Sequence, residues 1–263
     1  MSRQSILKFT KNNNKMSKII SIINQKGGVG KTTTTCSLAS ALSLHNKKVL
    51  AIDLDSQCNL SLSLGIKDSE VNSYKLLKGI QPFKPIVINE NFDLIPSSID
   101  LSAFELEMSN EPGREYLLRE IIEKEKAKYD YILIDCSPSL GLVSLNALTA
   151  SDSFIVPVLP HHLSIQGLSK LMEVTSKIRS RLNPNLELEG VLFTQFNGRK
   201  IMHKDTLEVI NNHFTGKVYS TFIRENIALA EAPSAGLDIF RYAPESNGAT
   251  DYSELCKELI AKQ

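Results

Sequence analysis

The sequence is organised around one stretch, Asn24-Gln25-Lys26-Gly27-Gly28-Val29-Gly30-Lys31-Thr32-Thr33. It lies between the apolar, β-branched run 19–23 and the amphipathic run 34–44, an order that predicts a strand, a glycine-rich loop and a helix. Because glycine has no Cβ, backbone N–H groups of the loop can turn inward, and with the positive end of the helix they form an anion cradle. Lys31 can reach the β- and γ-phosphates of a nucleotide, and the Thr32 hydroxyl can bind Mg²⁺. The stretch therefore predicts a phosphate-binding loop.

The composition limits the class of protein. The chain has 263 residues, a formal net charge of +1 and 42% hydrophobic residues, which suits one large α/β domain with a full core. A near-neutral charge argues against wholesale coating by nucleic acid but leaves room for a local basic face. The four cysteines are widely spaced and form no C-x-x-C pair, so the sequence indicates neither a zinc site nor a disulfide framework and fits a reducing cytosol.

The first residues differ in composition from the rest of the chain. Residues 1–17 are rich in Lys and Asn and lack the apolar segment of a secretory signal, so we predict a disordered tail followed by a single domain over residues 18–263. Met16 is an alternative start, since the first predicted strand begins just after it. No apolar run approaches the length of a membrane span. We therefore expect a cytoplasmic protein without a membrane partner.

Two further strands are predicted to bring carboxylates to the loop. Residues 48–53 are an apolar run that ends in Asp53, and residues 129–135 are an apolar run that ends in Asp135, a Walker B pattern. A strand, a helix and a strand at this spacing form a right-handed βαβ unit, whose ligands lie beyond the carboxyl ends of the strands. The remaining patterns predict strands at 92–96, 153–158, 188–196 and 217–221 and helices at 101–109, 114–128, 163–182, 202–214 and 249–261. The fold class is therefore α/β, with a doubly wound, mostly parallel twisted sheet flanked by helices.

Three aspartates are candidates for binding Mg²⁺ and water. Asp53 and Asp55 are two residues apart at a strand end, so they extend from the same face. One can support the Mg²⁺ shell and the other can orient the attacking water, while Asp135 can hold Mg²⁺ through water. A solvated acidic turn is the alternative interpretation of Asp53 and Asp55, and the nearby phosphate-binding loop makes it the weaker one.

The phosphate-binding loop departs from the standard G-x-x-x-x-G-K-[ST] pattern. Gln25 stands where the pattern has glycine, and Lys26 adds a second lysine early in the loop. Such a lysine is poorly placed for the nucleotide of its own chain and can instead reach phosphates held by a second subunit. This is the deviant Walker A signature. With it the chain resembles the ParA/MinD family of dimerising ATPases, which implies a P-loop NTPase-like fold.

Three further blocks extend the resemblance over nearly all of the chain from Lys18 onward, and they are similar to ParA (Soj-like) partition ATPases. They are Asp53-Leu54-Asp55-Ser56-Gln57-Cys58-Asn59, Asp135-Cys136-Ser137-Pro138-Ser139-Leu140-Gly141 with Asn146-Ala147-Leu148, and Leu229-Ala230-Glu231-Ala232-Pro233-Ser234. Ser56, Cys58 and Ser137 replace residues that are usually Pro, Gly and Pro in this family. These departures remove no charged or nucleophilic group, so they bear on loop stiffness and not on ATPase competence.

The resemblance implies roles for individual residues. Lys26 contacts the ATP of the partner subunit, Lys31 is the P-loop lysine, and loss of Asp55 permits ATP binding but impairs hydrolysis. The Mg²⁺ side is formed by Thr32, Asp53 and Asp135. ATP is bound by Lys26, Gly27, Gly28, Val29, Gly30, Lys31, Thr32, Thr33, Asn197 and Pro233. Asn197 falls where the family places an adenine-contacting residue, and an equal alternative is a turn residue before Gly198.

The resemblance also implies partners. In this family an ATP-bound homodimer binds double-stranded DNA without sequence preference through a basic face, which here offers Arg199, Lys200, Lys204, Lys217 and Arg224. Ala228 stands where relatives often carry an arginine implicated in DNA contact, which predicts weaker affinity or a shift to neighbouring residues. A ParB-like protein stimulates slow intrinsic ATP hydrolysis and releases the dimer from the nucleoid, so that chromosome or plasmid DNA is partitioned.

Three alternative functions remain open. A membrane-positioning ATPase of the MinD kind needs a basic amphipathic helix after the core, whereas residues 254–263 carry charges of both signs. The second alternative is an enzyme of another class on the same fold, such as a nitrogenase-type reductase or a ligase-like synthetase. The reductase needs paired cysteines for an iron–sulfur cluster, and Cys136 lies too near a strand end to match that pattern. An orphan ParA that positions a cargo other than DNA is not separated from partition by the sequence.

Overall fold

The computed structural model describes residues 17–262, so the predicted tail lies outside the described residues except for Ser17. Within this range one seven-stranded sheet forms the centre of the molecule. Its strands are β1 (Lys18–Ile22), β2 (Val49–Leu54), β3 (Ile86–Asn89), β4 (Phe92–Ile95), β5 (Tyr131–Cys136), β6 (Ser153–Val158) and β7 (Glu187–Phe193). Their spatial order is β3-β4-β2-β5-β1-β6-β7, and each neighbouring pair is parallel except β3–β4 at the edge. This confirms the predicted mostly parallel α/β fold.

The register brings the two acid-bearing strands together. In the β2–β5 pair Asp53 lies opposite Asp135, and in the β1–β5 pair Ile22 lies opposite Asp135. Since the three strands are parallel, their carboxyl ends and the loop after β1 meet at one edge of the sheet. The strands read as continuous apolar runs in the sequence because β2 and β5 are buried along their whole length.

Helices cover both faces of the sheet. Among residues 17–262 they are α1 (Lys31–Leu44), α2 (Asn59–Ser63), α3 (Ser73–Leu77), α4 (Phe104–Glu107), α5 (Leu117–Glu125), α6 (Leu142–Ala150), α7 (His162–Arg181), α8 (Ile201–His213), α9 (Ile227–Glu231), α10 (Ile239–Tyr242) and α11 (Asn247–Ala261). Helices α1 and α11 pack together on one apolar cluster, and α5 to α8 follow one another over a second. In β5, Ile132 and Ile134 belong to one cluster and Leu133 to the other, as the alternation of a strand requires. None of these helices is long and apolar enough to cross a bilayer.

The strand predicted at 217–221 is not formed. The segment makes a single bridge to β7 at Val218 and otherwise runs as irregular extended chain. Tyr219 N–H donates to Val191 O of β7, so Thr221 N–H would be the next to reach β7, but it donates to the Glu258 carboxylate at 2.9 Å, as does Ser220 N–H. A side chain of α11 thus replaces a strand partner.

Two other predictions differ in detail. The helix predicted at 101–109 is divided into a 3₁₀ turn, Ile99–Ala103, and the short helix α4, and the helix predicted at 114–128 begins at Leu117. The edge strand β3 was not predicted, although Ile86-Val87-Ile88 is an apolar, β-branched run, because three such residues between Pro85 and Asn89 are too few to distinguish a strand from a loop. Neither difference affects the edge of the sheet where the carboxylates meet.

Candidate active site

The phosphate-binding loop joins the carboxyl end of β1 to the first turn of α1. Gly28 and Gly30 have φ values of +71° and +85°, a left-handed conformation that residues with a Cβ adopt only under strain. Asn24 fixes the start of the loop, since its Nδ2 donates to Pro157 O at 2.8 Å and its Oδ1 accepts from Lys26 N at 3.0 Å. The cradle is therefore shaped by the chain itself, with the amino end of α1 available for a phosphate.

Lys31 lies in the first turn of α1 and is buried. Its Nζ donates to Lys26 O at 3.1 Å, across the loop. Burial lowers the pKa of this ammonium, and the negative charge of Asp135 opposes that effect. A cation held at the cradle with little water around it is stabilised strongly by phosphate oxygens.

Lys26 contrasts with Lys31 because its side chain is exposed. Its backbone N–H and carbonyl belong to the loop, but its ammonium makes no hydrogen bond or ion pair with any residue between 17 and 262. The side chain is therefore available to a group from outside the subunit.

The Asp53 carboxylate is buried and is used fully by its own chain. Its Oδ2 accepts from Ser61 N at 2.9 Å and from Ser61 Oγ at 2.7 Å, and its Oδ1 accepts from Asp55 N at 3.1 Å. Burial raises the pKa of Asp53 to about 6, although these hydrogen bonds act to lower it. Asp53 thus fixes the turn that carries Asp55. If Asp53 also held Mg²⁺ through a water molecule, its oxygens would accept a hydrogen bond from that water in addition to those from Ser61 and Asp55.

Asp135 is buried beside the start of α1. Its Oδ1 accepts from Thr35 Oγ1 at 3.3 Å, whereas its Oδ2 is buried and has no partner among the described residues. Burial and the neighbouring charge of Asp53 raise the pKa of Asp135 well above its ordinary value, and the positive charge of Lys31 acts to lower it. An unsatisfied carboxylate oxygen beside a threonine hydroxyl fits Mg²⁺, whose charge would favour the ionised carboxylate.

A cleft of ≈ 570 Å³ separates the loop from Asp55. Asp55 Oδ1 accepts from Gln57 N at 3.0 Å, and Oδ2 accepts from none of the residues that the structure describes. The cleft is lined by Gly27, Gly28, Gly30, Lys31, Thr32, Thr33, Asp55, Gln57, Asn59, Leu62, Ser63, Pro138, Pro233 and Ser234. The structure therefore brings most of the phosphate-binding candidates, Asp55 and Pro233 around one space, whereas Val29 is buried within the loop and Lys26 is not among the walls.

A second cavity of ≈ 440 Å³ adjoins this cleft and shares Gly30 and Thr33 with it. Its other walls come from distant segments: Thr194, Gln195, residues 223–227, Leu229, Ala230 and Tyr252. None of these was predicted as part of a nucleotide cavity, although Arg224, Leu229 and Ala230 were singled out for other reasons. Thr194 Oγ1 donates to Val29 O at 2.8 Å and so ties the end of β7 to the loop. Its position directly after a strand, at the same sheet edge, is the signal that could have found it. The cavity suits the ribose and base of a nucleotide whose phosphates lie in the loop.

Asn197 lines a neighbouring cleft with Phe196 and Arg199 and is not among the walls of the second cavity. Its Oδ1 accepts from Arg199 N and its N–H donates to His203 Nδ1, both at 3.0 Å. These are the bonds expected of the turn alternative. The adenine contact therefore stays a prediction.

The predicted DNA-binding residues form one group and one outlier. Three of them are exposed at the start of α8: Arg199, Lys200 and Lys204. A bridge between Phe196 and Arg224 places Arg224 beside them. Lys217 lies at the other end of the segment that carries Arg224, roughly 20 Å away for extended chain. We call Arg199, Lys200, Lys204 and Arg224 the basic edge.

Acidic residues offset part of the basic edge. Arg224 Nη2 lies 2.6 Å from Asp251 Oδ1, and Lys200 Nζ lies 3.8 Å from Glu225 Oε2. Within the described part of the chain, Arg199 and Lys204 have no ion-pair partner. They are therefore the members of the edge with the most readily available charge.

The loop after α2 contacts the loop that follows Pro233 through two glycines, Gly65 and Gly236. Gly65 and Gly236 have φ values of +81° and +66°. A Cβ on Gly236 would lie 2.9 Å from Gly65 Cα, and a Cβ on Gly65 would lie 3.3 Å from Gly236 O. The two backbones are thus in contact, which holds the two sides of the phosphate cleft at a fixed separation.

Comparisons with known proteins identify the family that this chain resembles in sequence. A family model described as an AAA domain matches residues 17–188. The sporulation initiation inhibitor protein Soj of Bacillus subtilis is 42% identical over 252 residues, covering 94% of this chain and 99% of that protein. The chromosome partitioning protein ParA of Myxococcus xanthus is 36% identical over 250 residues, covering 93% of this chain and 88% of that protein.

A solved structure extends the comparison to bound ligands. Cobyrinic acid a,c-diamide synthase of Mycobacterium smegmatis, with bound ATP analog and magnesium, matches with a TM-score of 0.83 and 31% identity over 93% of this chain and 94% of that chain. The phosphate cradle, the Lys31 ammonium and the Asp135–Thr32 pair fit the same two ligands here. The chain is therefore an ATPase that uses ATP and Mg²⁺, and it belongs to the ParA/Soj family of P-loop partition ATPases.

Proposed function

We propose that this ATPase is a switch for DNA partition. ATP closes a homodimer, the dimer binds double-stranded DNA of the nucleoid without sequence preference, and a ParB-like partner stimulates hydrolysis and releases it. The observation that carries the proposal is the pair of unlike lysines in one loop, Lys31 buried and Lys26 exposed and unpaired. One lysine serves the nucleotide of its own subunit. The second is then available to phosphates held by another subunit, so that dimerisation depends on ATP.

Hydrolysis in this site is assigned to positioning and to charge stabilisation. When bound, Mg²⁺ neutralises charge that develops on the phosphate oxygens. Thr32 and Asp135 hold it, and Lys31 with the loop N–H groups stabilises the same charge. Asp55 orients the attacking water through the carboxylate oxygen that Gln57 leaves free. We expect slow intrinsic turnover, which leaves the timing to the partner.

The basic edge is the proposed DNA-binding surface. Arg199 and Lys204 supply the first phosphate contacts, because Arg224 is engaged by Asp251. Ala228 has only a methyl side chain, which packs in a small cluster with Ile239, and so adds no charge to this surface. Phosphate contacts carry no base information, so binding is expected to be independent of sequence and sensitive to salt.

Binding to random-sequence duplex DNA tests the switch. It is measured without nucleotide, with ADP, with ATP, and with ATP in Asp55→Ala, at two salt concentrations. We expect DNA binding only when ATP is present. The affinity should be higher in Asp55→Ala, because its bound ATP persists, and should be lower at the higher salt concentration. Absence of binding in all four states would overturn the DNA switch; ATP-dependent liposome flotation would then favour a membrane cargo, and its absence a protein cargo.

The role of Lys26 has its own test. Lys26→Ala should bind nucleotide with little change and fail to form the ATP-dependent dimer in analytical ultracentrifugation. Lys177→Ala, which removes another exposed lysine on α7, should dimerise normally. A normal ATP-dependent dimer of Lys26→Ala would contradict the contact across subunits.

A further inference from the structure

An apolar stripe is exposed on the segment between β4 and α5. Ile99 is 65% exposed and Leu106 is 80% exposed, and the exposed Ala103 lies between them in the chain. The other side of the same segment is buried in the core through Leu101, Phe104 and Met108. The segment is therefore anchored without the help of Ile99, Ala103 and Leu106, which we call the outer stripe.

The surroundings of the outer stripe are acidic. Residues 96–113 contain four acidic residues and no Lys or Arg. Glu107 is paired with Lys78 at 3.0 Å, but no basic side chain among residues 17–262 forms an ion pair with Asp100, Glu105 or Glu111. Lys78 also lies near Glu111, and the Arg114 guanidinium donates to Met108 O and Ser109 O, so the rim is partly offset at this end. An exposed apolar strip whose remaining acidic residues have no ion pair in the described part of the chain is complementary to a cationic amphipathic segment.

The same segment is bonded to both loops that border the phosphate cleft. At its start, Ser97 N donates to Ser61 Oγ at 3.0 Å, and Ser61 Oγ donates to Asp53 at 2.7 Å. Further along, Glu105 Oε2 accepts from Leu142 N at 3.3 Å, at the amino end of α6.

The contact at α6 depends on a close approach. A Cβ on Gly141 would overlap the Glu105 carboxylate, so glycine at this position is what admits Glu105 to the helix end. The residues before Gly141 include Pro138, which lines the phosphate cleft. Two hydrogen bonds, from Ser97 to Ser61 and from Ser61 to Asp53, thus connect the segment that carries the outer stripe to Asp53. One hydrogen bond, from Leu142 to Glu105, connects it to the loop that carries Pro138.

We propose that the outer stripe and its acidic rim are the docking surface for a short cationic amphipathic segment of the partner that accelerates ATP hydrolysis. This inference rests on the proposed function, because that function supplies the activating partner. Aliphatic side chains of the segment cover Ile99 and Leu106, and its Lys or Arg residues pair with the acidic rim. A cation beside Glu105 competes with Leu142 N for the carboxylate and so loosens the start of α6 next to the cleft. An anionic lipid surface would be repelled by the same rim.

A peptide probe tests the surface directly on the full chain. The probe is a fluorescein-labelled helical peptide of twelve residues, with Leu at positions i, i+3 and i+7 and Lys at the others; the control peptide has Glu in place of Lys. Fluorescence anisotropy should show salt-sensitive binding of the Lys peptide and none of the Glu peptide. Leu106→Ser should weaken binding about tenfold, because it removes one exposed leucine from the contact.

Leu44→Ser is the matched control, because Leu44 is 65% exposed at the end of α1 and lies outside the outer stripe. It should bind the Lys peptide as the wild type does. Equal affinities of the wild type and Leu106→Ser, or binding of both peptides, would overturn the proposal. Nucleotide-free self-association that Leu106→Ser abolishes would also overturn it, since a second copy of the chain would then cover the stripe.

The link to hydrolysis is measured separately from the proposed function. With the ParB-like protein of the same organism, Leu106→Ser should keep the basal ATPase rate and the ATP-dependent dimer. The partner concentration that gives half-maximal stimulation of hydrolysis should rise at least tenfold. Undiminished stimulation of Leu106→Ser would overturn the docking surface and leave the proposed function intact. An unstimulated wild type would instead overturn the partner in the proposed function, and the docking surface would be decided by the peptide measurements.

Discussion

The phosphate cleft and the basic edge carry charge in opposite ways. In the cleft, the charged groups are buried and each is fixed by the chain, as Ser61 fixes Asp53 and Lys26 O fixes Lys31. At the basic edge the charges are exposed, and acidic neighbours already offset two of them. Chemistry on a phosphate requires fixed groups in a dry site, whereas contact with a uniform phosphate backbone tolerates mobile ones. The two regions should therefore respond differently to mutation, pH and salt.

The largest effect is expected in the cleft. Lys31→Ala should weaken ATP binding by roughly a hundredfold, because it removes a charge-assisted contact from a site with little water. Isothermal titration calorimetry with Mg²⁺–ATP measures it. Lys200→Ala, at the basic edge, is the control and should bind ATP normally. Similar losses in the two variants would mean that the regions are not separate.

Low pH should loosen the segment that carries Arg224, because the ionised Glu258 carboxylate holds this segment through its backbone N–H groups. Although burial acts to raise it, hydrogen bonds from the N–H groups of Ser220 and Thr221 hold the pKa of Glu258 to about 2, below its ordinary 4.5. A depressed pKa stabilises the fold above pH 4.5, and this contribution is lost as the pH falls from 4.5 towards 2. For Glu258→Gln the lost stability at neutral pH should be about 2 kcal/mol, less than the full shift implies because Glu258 is partly solvated.

Urea unfolding as a function of pH measures this contribution. The difference between the wild type and Glu258→Gln should shrink as the pH is lowered through the range below 4.5. Glu254→Gln removes an exposed carboxylate of the same helix and should show little pH-dependent difference. The buried aspartates of the cleft work in the opposite direction, since burial raises the pKa of both Asp53 and Asp135 and so favours the fold at low pH. A difference for Glu258→Gln that does not change with pH would contradict the assignment.

At the basic edge the expected effects are smaller and depend on the ion pairs. Arg199→Ala should lower DNA affinity in the presence of ATP about fivefold and reduce the salt slope by about one, as the loss of one phosphate contact predicts. Arg224→Ala should change it less, because its guanidinium is held by Asp251. Titration of a labelled duplex at several salt concentrations measures both. A larger loss for Arg224→Ala than for Arg199→Ala would reverse the order inferred from the ion pairs.

How much of the site could be predicted from the sequence depended on whether its residues are neighbours in the chain. Lys31 and Thr32 follow a glycine loop, and Asp135 ends an apolar run, so backbone geometry alone indicates their chemistry. Thr194 and Tyr252 come from segments far along the chain; the end of a strand could have marked Thr194, whereas no pattern marks Tyr252 as a cavity wall. The place of Thr194 beside the loop follows from the sheet order and that of Tyr252 from the packing of α11 on α1, and the sequence specifies neither.

The fold shows the same division. The inner strands β2 and β5 could be predicted because burial on both faces makes them apolar throughout. The edge strand β3 was not predicted because its apolar run is only three residues long. Residues 217–221 were wrongly assigned as a strand because Glu258, 37 residues away from Thr221, takes the Thr221 N–H that would continue the ladder with β7. Edges of the sheet are decided by such distant side chains.

The smallest effect concerns the loop that carries Asp55. Cys58 has a φ of +56° where the ParA-like pattern has glycine, and a left-handed conformation is unfavourable for a residue with a Cβ. Cys58→Gly should therefore raise the free energy of unfolding by about 0.5–1 kcal/mol, after the greater freedom of glycine in the unfolded chain is subtracted. Chemical denaturation measures it. Asn46→Gly is the matched control, since Asn46 has a φ of +57° and asparagine tolerates it better; an equal gain there would remove the argument from Cys58.

The contact between Gly65 and Gly236 has a consequence for genetics. Neither residue carries a side chain that could touch ATP, and they are separated by 171 positions along the chain, yet a methyl group on Gly236 would meet the backbone of Gly65. Alleles with a larger residue at either glycine would therefore fall into the same phenotypic class as alleles of the nucleotide loop. A screen for loss of activity would collect them beside Lys31 and Asp55, although their defect is the spacing of two loops and not the chemistry between them.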